Sequence, residues 1–103
     1  MPWRKYDGHE FLEEGGFWMQ KQHIFLFPFY YLDYALAQIC AFTYYARSKA
    51  DKEGTWADYY RLCCCGGRFG YFDTLKYANL PNPFEDGTVK NAIEALKPEL
   101  GLA

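Results

Sequence analysis

The middle of the sequence is almost continuously apolar. Residues 23–42 read HIFLFPFYYLDYALAQICAF, in which His23, Asp33, Gln38 and three tyrosines are the main polar side chains. Neither proline nor glycine occurs between residues 29 and 50, so this pattern predicts one long helix with Pro28 at its first position. At 100° per residue, one face carries Tyr31, Tyr34, Gln38, Phe42 and Tyr45, and the opposite face carries Phe29, Asp33, Leu36, Cys40, Tyr44 and Arg47. A helix that is apolar all round is expected in the interior of a larger protein.

Shorter helices are predicted on both sides of this segment. EFLEE predicts one helical turn, and Thr55 is expected to cap a second long helix over residues 56–65, which the two following glycines end. YFDTLKYANL predicts a third helix that PNP stops, and a fourth is expected to open at Asp86 or Thr88, with Pro98 near its end. Since no repeat and no alternating strand pattern is present, we expect an all-α fold of four or so helices, forming one domain over residues 1–103.

Composition adds an expectation about partners. Half of the 103 residues are hydrophobic and 21% are aromatic, which is more apolar surface than a small domain readily buries, so self-association is expected. The net charge is −2, which does not favour binding to nucleic acid. The sequence also has no run of basic residues that would bind an anionic membrane. The first 16 residues lack the apolar core of a signal peptide, so a cytoplasmic location with reduced thiols is expected.

A membrane span is the first alternative for the apolar segment. Residues 24–46 are long enough to cross a bilayer. Asp33 lies near the middle, where an acidic side chain costs roughly 2.5–3.5 kcal/mol on insertion scales, and the flanks lack a Lys/Arg bias. No membrane association is therefore predicted.

The tyrosines of the same segment allow two further interpretations. Tyr31 and Tyr34 are three residues apart and Tyr30 and Tyr34 four apart, so their side chains are neighbours on a helix. Together with His23 they could donate hydrogen bonds to a carbonyl oxygen that gains negative charge during a reaction. The same spacing is typical of a packed core, and the residues alone leave both interpretations open.

Four stretches carry a resemblance to a known family. FLEEGGFW, HIFLFPFYYLDYALAQICAF, WADYYRLCCCGG and ANLPNPFEDGTVKNAIEAL, in this order, resemble the C-terminal end of oligoendopeptidase F, a zinc metallopeptidase of the thimet oligopeptidase clan. The resemblance implies a helical fragment of a large all-α bowl around a channel in which short peptides are cut. PFYYLDYALAQ and PFEDG are its most specific parts.

The resemblance also implies roles for individual residues. Members of the family use a histidine before the tyrosine-rich helix, and tyrosines on it, to bind the peptide and stabilise the oxyanion. The matching positions are His23, Tyr31 and Tyr34 as catalytic residues, with Tyr30 and His23 contacting substrate. Asp33 faces away from Tyr31, and a salt bridge with Arg47 or a lysine is expected for it.

The zinc of the family has no predicted ligands in this chain. Its H-E-x-x-H motif is absent, because in HEFLE the position of the second histidine is Glu13 after His9 and Glu10. No metal site and no cofactor are predicted for this chain, although the full-length family binds zinc. Cys63, Cys64 and Cys65 depart from the family pattern and are interpreted as the end of a helix, since no C-x-x-C spacing supports a metal site.

Two functional hypotheses follow. In the first, the chain is the C-terminal segment of a zinc metallo-oligopeptidase, supplies peptide-binding and oxyanion-stabilising side chains, and is inactive alone. In the second, it is a non-catalytic helical domain derived from that family that associates with itself or another protein.

Overall fold

The computed structural model describes residues 3–101 and contains six α-helices with no strand among these residues. The helices are α1 (Glu10–Glu13), α2 (Gln22–Leu26), α3 (Tyr31–Ala50), α4 (Lys52–Cys65), α5 (Tyr71–Tyr77) and α6 (Thr88–Glu94), and short 3-10 helices occupy Gly16–Gln20 and Lys97–Leu100. The all-α prediction is confirmed. None of the helices in the described part is both long and apolar enough to span a membrane.

The chain divides into two compact units, Met1–Tyr34 and Ala35–Ala103. Each unit is described by itself below. The expectation of one domain over residues 1–103 stays a prediction.

The N-terminal unit is a series of short helices joined by tight turns. The single turn predicted for EFLEE is α1. A bond from the Tyr6 N–H to a carboxylate oxygen of Glu13, 2.7 Å long, ties the preceding loop to this helix. Gly16 is buried against Phe11, where an added Cβ would lie 2.4 Å from a ring carbon. This close approach requires glycine at that position.

The prediction that Pro28 opens the long helix is wrong. Pro28 lies in a turn, and Phe29 follows it with φ at +67°. A helix cannot include that backbone angle, so α3 begins at Tyr31.

In the C-terminal unit, Asp51 separates the two longest helices. Its carboxylate accepts the Gly54 N–H at 2.9 Å and so caps α4. The predicted cap, Thr55, is wrong: it lies within the helix and its hydroxyl is buried. Asp51 is the cap because α4 starts at Lys52, which is earlier than the apolar pattern indicated.

The core of this unit lies where α3, α4 and α5 meet. Tyr44, Leu75, Ala78 and Leu80 form the buried cluster, with Cys40 and Leu62 packed against it. The Tyr44 hydroxyl donates to the Ala78 carbonyl at 3.1 Å. Of the two predicted faces of α3, the one with Cys40, Tyr44 and Arg47 is therefore the face that packs inside the unit.

A polar network crosses the same helices. Arg47 pairs with the buried Asp58 and also donates to the Asn79 carbonyl at 2.8 Å. The Asn79 amide donates to Asp58 at 2.8 Å, and these bonds, led by that from Arg47, lower the pKa of Asp58. The predicted salt bridge of Asp33 with Arg47 or a lysine is wrong: Arg47 is too far along the same helix and pairs with Asp58, and Asp33 forms no ion pair among residues 3–101.

Candidate functional site

The four side chains predicted to form a site lie together in the N-terminal unit. The ring centroid of His23 is 6.0 Å from that of Tyr30, 5.6 Å from that of Tyr31 and 5.8 Å from that of Tyr34. Tyr34 is in turn 5.6 Å from Tyr30 and 5.9 Å from Tyr31. The imidazole is thus in contact range of all three phenols.

Two helices and a turn produce this arrangement. His23 lies on α2, and the Phe27 N–H bonds to the His23 carbonyl at 3.1 Å as the helix ends. The Tyr30 N–H then bonds to the Phe27 carbonyl at 3.1 Å, which closes the turn before α3. Phe29 adopts its left-handed backbone inside this turn, with a side chain that is 91% exposed. A bulky residue in that region is strained, and here it marks the reversal that brings the tyrosines back to His23.

The polar ends of the cluster are accessible. His23 is half-buried, and Tyr30, Tyr31 and Tyr34 each remain about half exposed. A hydrogen bond with Tyr30, followed by the charge of the same group, raises the pKa of Tyr34. The shift favours the neutral phenol of Tyr34, which is the form that can donate a hydrogen bond.

The arrangement can bind and polarise a carbonyl group. Phenols and a neutral imidazole can each donate one hydrogen bond, and donors that converge on one position stabilise negative charge developing on an oxygen. The ring faces offer apolar contact to a substrate side chain at the same place.

Sequence reasoning missed Phe27. Its ring lies edge-on to Tyr30 with centroids 6.1 Å apart and adds a fourth aromatic contact to Tyr30's surroundings in the cluster. Phe27 and Tyr30 are three residues apart, a spacing that would make them neighbours on a helix. Because Pro28 lies between them, the sequence did not predict that both belong to one helix.

The residues of the described part do not fit a zinc ion. It contains no group of three or more His, Cys, Asp or Glu side chains that could hold a metal. His9 and Glu10 are exposed at the start of α1. Cys63 and Cys64 are exposed whereas Cys65 is buried, as expected for consecutive residues of a helix that point in different directions.

The known proteins that are similar to this chain are found among solved structures. No family model and no curated protein matches the chain. Among solved structures it is similar to Pz peptidase A with an inhibitor, at a TM-score of 0.86 and 43% identity, over 100% of this chain and 18% of that one. It is also similar to an X-ray structure of an oligoendopeptidase F, at a TM-score of 0.84 and 42% identity, over 97% of this chain and 18% of that one.

In both fold and sequence, the chain is similar to these two peptidases along almost its whole length, so it is a helical segment of a peptidase. It belongs to the oligoendopeptidase F family and corresponds to its C-terminal part. The chain spans about a fifth of the length of the solved relatives it matches, 18% in both cases. The resemblance drawn from the sequence is confirmed.

Proposed function

We propose that this chain supplies one wall of a peptide-cleaving site in a metallo-oligopeptidase. His23, Tyr31 and Tyr34 stabilise the oxyanion that forms as water attacks a peptide carbonyl, and Tyr30 and His23 contact the substrate. Short peptides are the proposed substrates. The convergence of the three phenols on the His23 ring is the observation that supports this proposal.

The chemistry depends on donors that are already in place. A carbonyl oxygen is a weak acceptor in the ground state and a strong one when it becomes an oxyanion, so fixed donors favour the transition state over the substrate. In this cluster the contact between Tyr30 and Tyr34 and the edge contact of Phe27 with Tyr30 hold the rings in position. The sequence contains no H-E-x-x-H motif, and residues 3–101 contain no group of three or more side chains that could hold a metal, so we propose that the chain does not hydrolyse peptides alone.

A hybrid enzyme tests the proposed roles. The corresponding C-terminal part of an active oligoendopeptidase F is replaced by this chain, and cleavage of an internally quenched peptide is followed. Tyr31→Phe and Tyr34→Phe each remove a single hydroxyl. We expect each to lower kcat by about 10²–10³-fold with a much smaller change in KM, because the donor acts mainly in the transition state.

Tyr60→Phe is the matched control, since it removes an exposed phenol hydroxyl from α4. We expect it to leave kcat unchanged. An active hybrid in which Tyr31→Phe and Tyr34→Phe match this control would refute the catalytic assignment. His23→Gln, which keeps a donor but removes the imidazole, is expected to raise KM and lower kcat together.

Self-association is the second candidate function, and a separate observation favours it. Large apolar side chains remain strongly exposed on short helices and turns, among them Trp3 at 78% and Phe84 at 59%. Exposed apolar area of this kind marks surfaces that are covered in an assembly. We propose that the isolated chain forms dimers or larger assemblies; a monomer at tens of micromolar in sedimentation velocity would contradict this.

A cytoplasmic location is also proposed. The cysteines at positions 40, 63, 64 and 65 are all free thiols, and unpaired thiols are typical of a reducing compartment. Fractionation of cells that express the natural protein tests this point.

A further inference from the structure

Phe29 combines two unfavourable features in the turn between α2 and α3. Its backbone φ is +67°, in the left-handed region that glycine and asparagine adopt at a lower cost than a bulky residue. Its side chain is 91% exposed, the largest value among the exposed large apolar side chains of residues 3–101. Backbone strain and exposed apolar area both oppose folding, so neither feature explains why phenylalanine occupies this position.

Backbone hydrogen bonds hold the turn without help from the Phe29 ring. The Tyr30 N–H bonds to the Phe27 carbonyl at 3.1 Å, and the Leu32 N–H bonds to the Phe29 carbonyl at 3.0 Å as α3 begins. Asparagine or glycine would make the same backbone bonds at the same φ with less strain. The turn itself therefore does not require a phenylalanine.

The ring of Phe29 also lacks an aromatic partner, unlike the rings close to it in the sequence. Phe25 stacks on Trp18 with centroids 5.5 Å apart. Phe27 lies edge-on to Tyr30. Among residues 3–101, Phe29 takes part in no ring contact. A strained residue with an unused ring beside a candidate site indicates a contact with something that binds there.

The surroundings of Phe29 indicate the chemistry of that contact. Phe29 directly precedes Tyr30, and its Cα lies no more than about 7 Å from that of Tyr31. These phenols belong to the wall proposed to bind the carbonyl group of the cleaved bond, and a substrate side chain beside that carbonyl is only one Cα away from it. Residues 22–32 contain no Asp, Glu, Lys or Arg, so an uncharged apolar side chain suits this place.

We propose that Phe29 forms an apolar subsite of the peptidase wall and selects peptides with a large apolar side chain beside the cleaved bond. This inference rests on the proposed function of the wall. The left-handed backbone places the ring at the edge of the tyrosine cluster, where it packs against the substrate side chain. Substrate binding then covers apolar area that the free protein leaves in water.

Matched peptides test the subsite in the same hybrid enzyme. Two pairs of internally quenched peptides differ only in carrying phenylalanine or alanine, immediately before the cleaved bond in one pair and immediately after it in the other. Mass spectrometry of the products verifies which bond is cut. We expect a preference for phenylalanine in one pair, and we expect Phe29→Asn to lower this preference in kcat/KM about tenfold, the effect of an aromatic contact of about 1.4 kcal/mol.

Two further variants show whether the ring itself is responsible. Phe29→Tyr keeps an aromatic ring and is expected to retain the preference for phenylalanine. Phe84→Asn removes an exposed ring from the C-terminal unit and is expected to leave the preference unchanged. Turnover of the alanine peptides should stay within about twofold in Phe29→Asn, because asparagine tolerates the left-handed backbone that the tyrosine cluster needs.

The purified chain provides a second measurement that needs no active hybrid. The Phe29 ring makes no aromatic contact within residues 3–101, and asparagine adopts a φ of +67° with less strain. Phe29→Asn is therefore expected to leave the urea midpoint unchanged or to raise it. A lower midpoint would show that the ring supports the fold of the chain and would overturn the proposal.

The hybrid separates failure of the subsite from failure of the proposed function. The subsite is refuted if the parent hybrid shows no preference, if Phe29→Asn retains the preference, or if it slows both peptides of a pair equally. The last result would assign the ring to packing against the rest of the peptidase. Lower kcat values in Tyr31→Phe and Tyr34→Phe would still uphold the oxyanion role, whereas unchanged values would refute that role as well.

Discussion

The hydroxyl of Tyr44 offers a sharp test of how the C-terminal unit is held together. It donates to the Ala78 carbonyl at 3.1 Å, across the contact between α3 and the end of α5. Tyr44 is 8% exposed and Ala78 is 0% exposed, so water cannot replace the lost donor. Tyr44→Phe removes this one bond and keeps the ring in the core.

The magnitude follows from the burial of both groups. A net hydrogen bond contributes about 0.5–1.5 kcal/mol, and a buried acceptor left without its donor adds to the loss. We therefore expect Tyr44→Phe to lower the free energy of unfolding by about 1–2 kcal/mol. With a urea m-value of about 1.5 kcal/mol/M, the midpoint falls by about 0.7–1.3 M.

The pH dependence provides a second measurement on the same pair of proteins. Burial, together with the charge of Asp58, raises the pKa of Tyr44 to about 12. The native state thus keeps a proton that the unfolded chain loses above about pH 10, and stability must fall as pH rises through that range. The advantage of the parent over Tyr44→Phe is constant below pH 9 and smaller by about 1.4 kcal/mol at pH 11.

Urea titrations followed by circular dichroism at 222 nm, at pH 8 and pH 11, measure both effects. Tyr60→Phe serves as control, because the same change at an exposed position of α4 is expected to shift stability by less than about 0.5 kcal/mol. Equal midpoints for Tyr44→Phe and Tyr60→Phe would refute the buried hydrogen bond. A difference that does not change between the two pH values would refute the raised pKa.

Three further predictions concern other parts of the chain. Asp58→Asn is expected to destabilise the protein at pH 7. The difference in stability between parent and variant should become smaller as pH falls below about 4, because the lowered pKa of Asp58 contributes stability only while the carboxylate is ionised. If the urea midpoints of parent and variant differ by the same amount at pH 3 as at pH 7, this prediction is contradicted. Asp51→Ala removes the cap of α4 and is expected to cost about 1 kcal/mol, whereas Asp51→Asn should retain most of that stability. The purified 103-residue chain is expected to bind no stoichiometric zinc and to leave a fluorogenic peptide intact, and cleavage that a chelator abolishes would disprove this.

Local sequence patterns were sufficient for much of the fold. Helix α5 and the start of α6 at Thr88 lie where turn residues and apolar spacing placed them. These features depend on interactions between residues a few positions apart, which local patterns report directly. The errors at Pro28 and Thr55 also arose locally, because a proline and a threonine each suit more than one position in a turn.

The candidate site was predictable only in part. The spacing of Tyr30, Tyr31 and Tyr34 indicated neighbouring phenols on a helix, and the family resemblance added His23. That the imidazole contacts all three rings depends on the left-handed backbone at Phe29. A phenylalanine rarely adopts that angle, so no local rule predicts it.

The sequence of this protein was enough to establish a chain of helices, the family to which it belongs and the types of side chain that could serve a peptidase. It was not enough to decide which face of α3 would be buried, since both faces are largely apolar. That choice came from partners far along the chain: Ala78 accepts the bond of Tyr44, and Asp58 takes the guanidinium of Arg47. Short-range backbone preferences are encoded residue by residue, whereas such pairings exist only after distant segments pack together and exclude water from the groups between them.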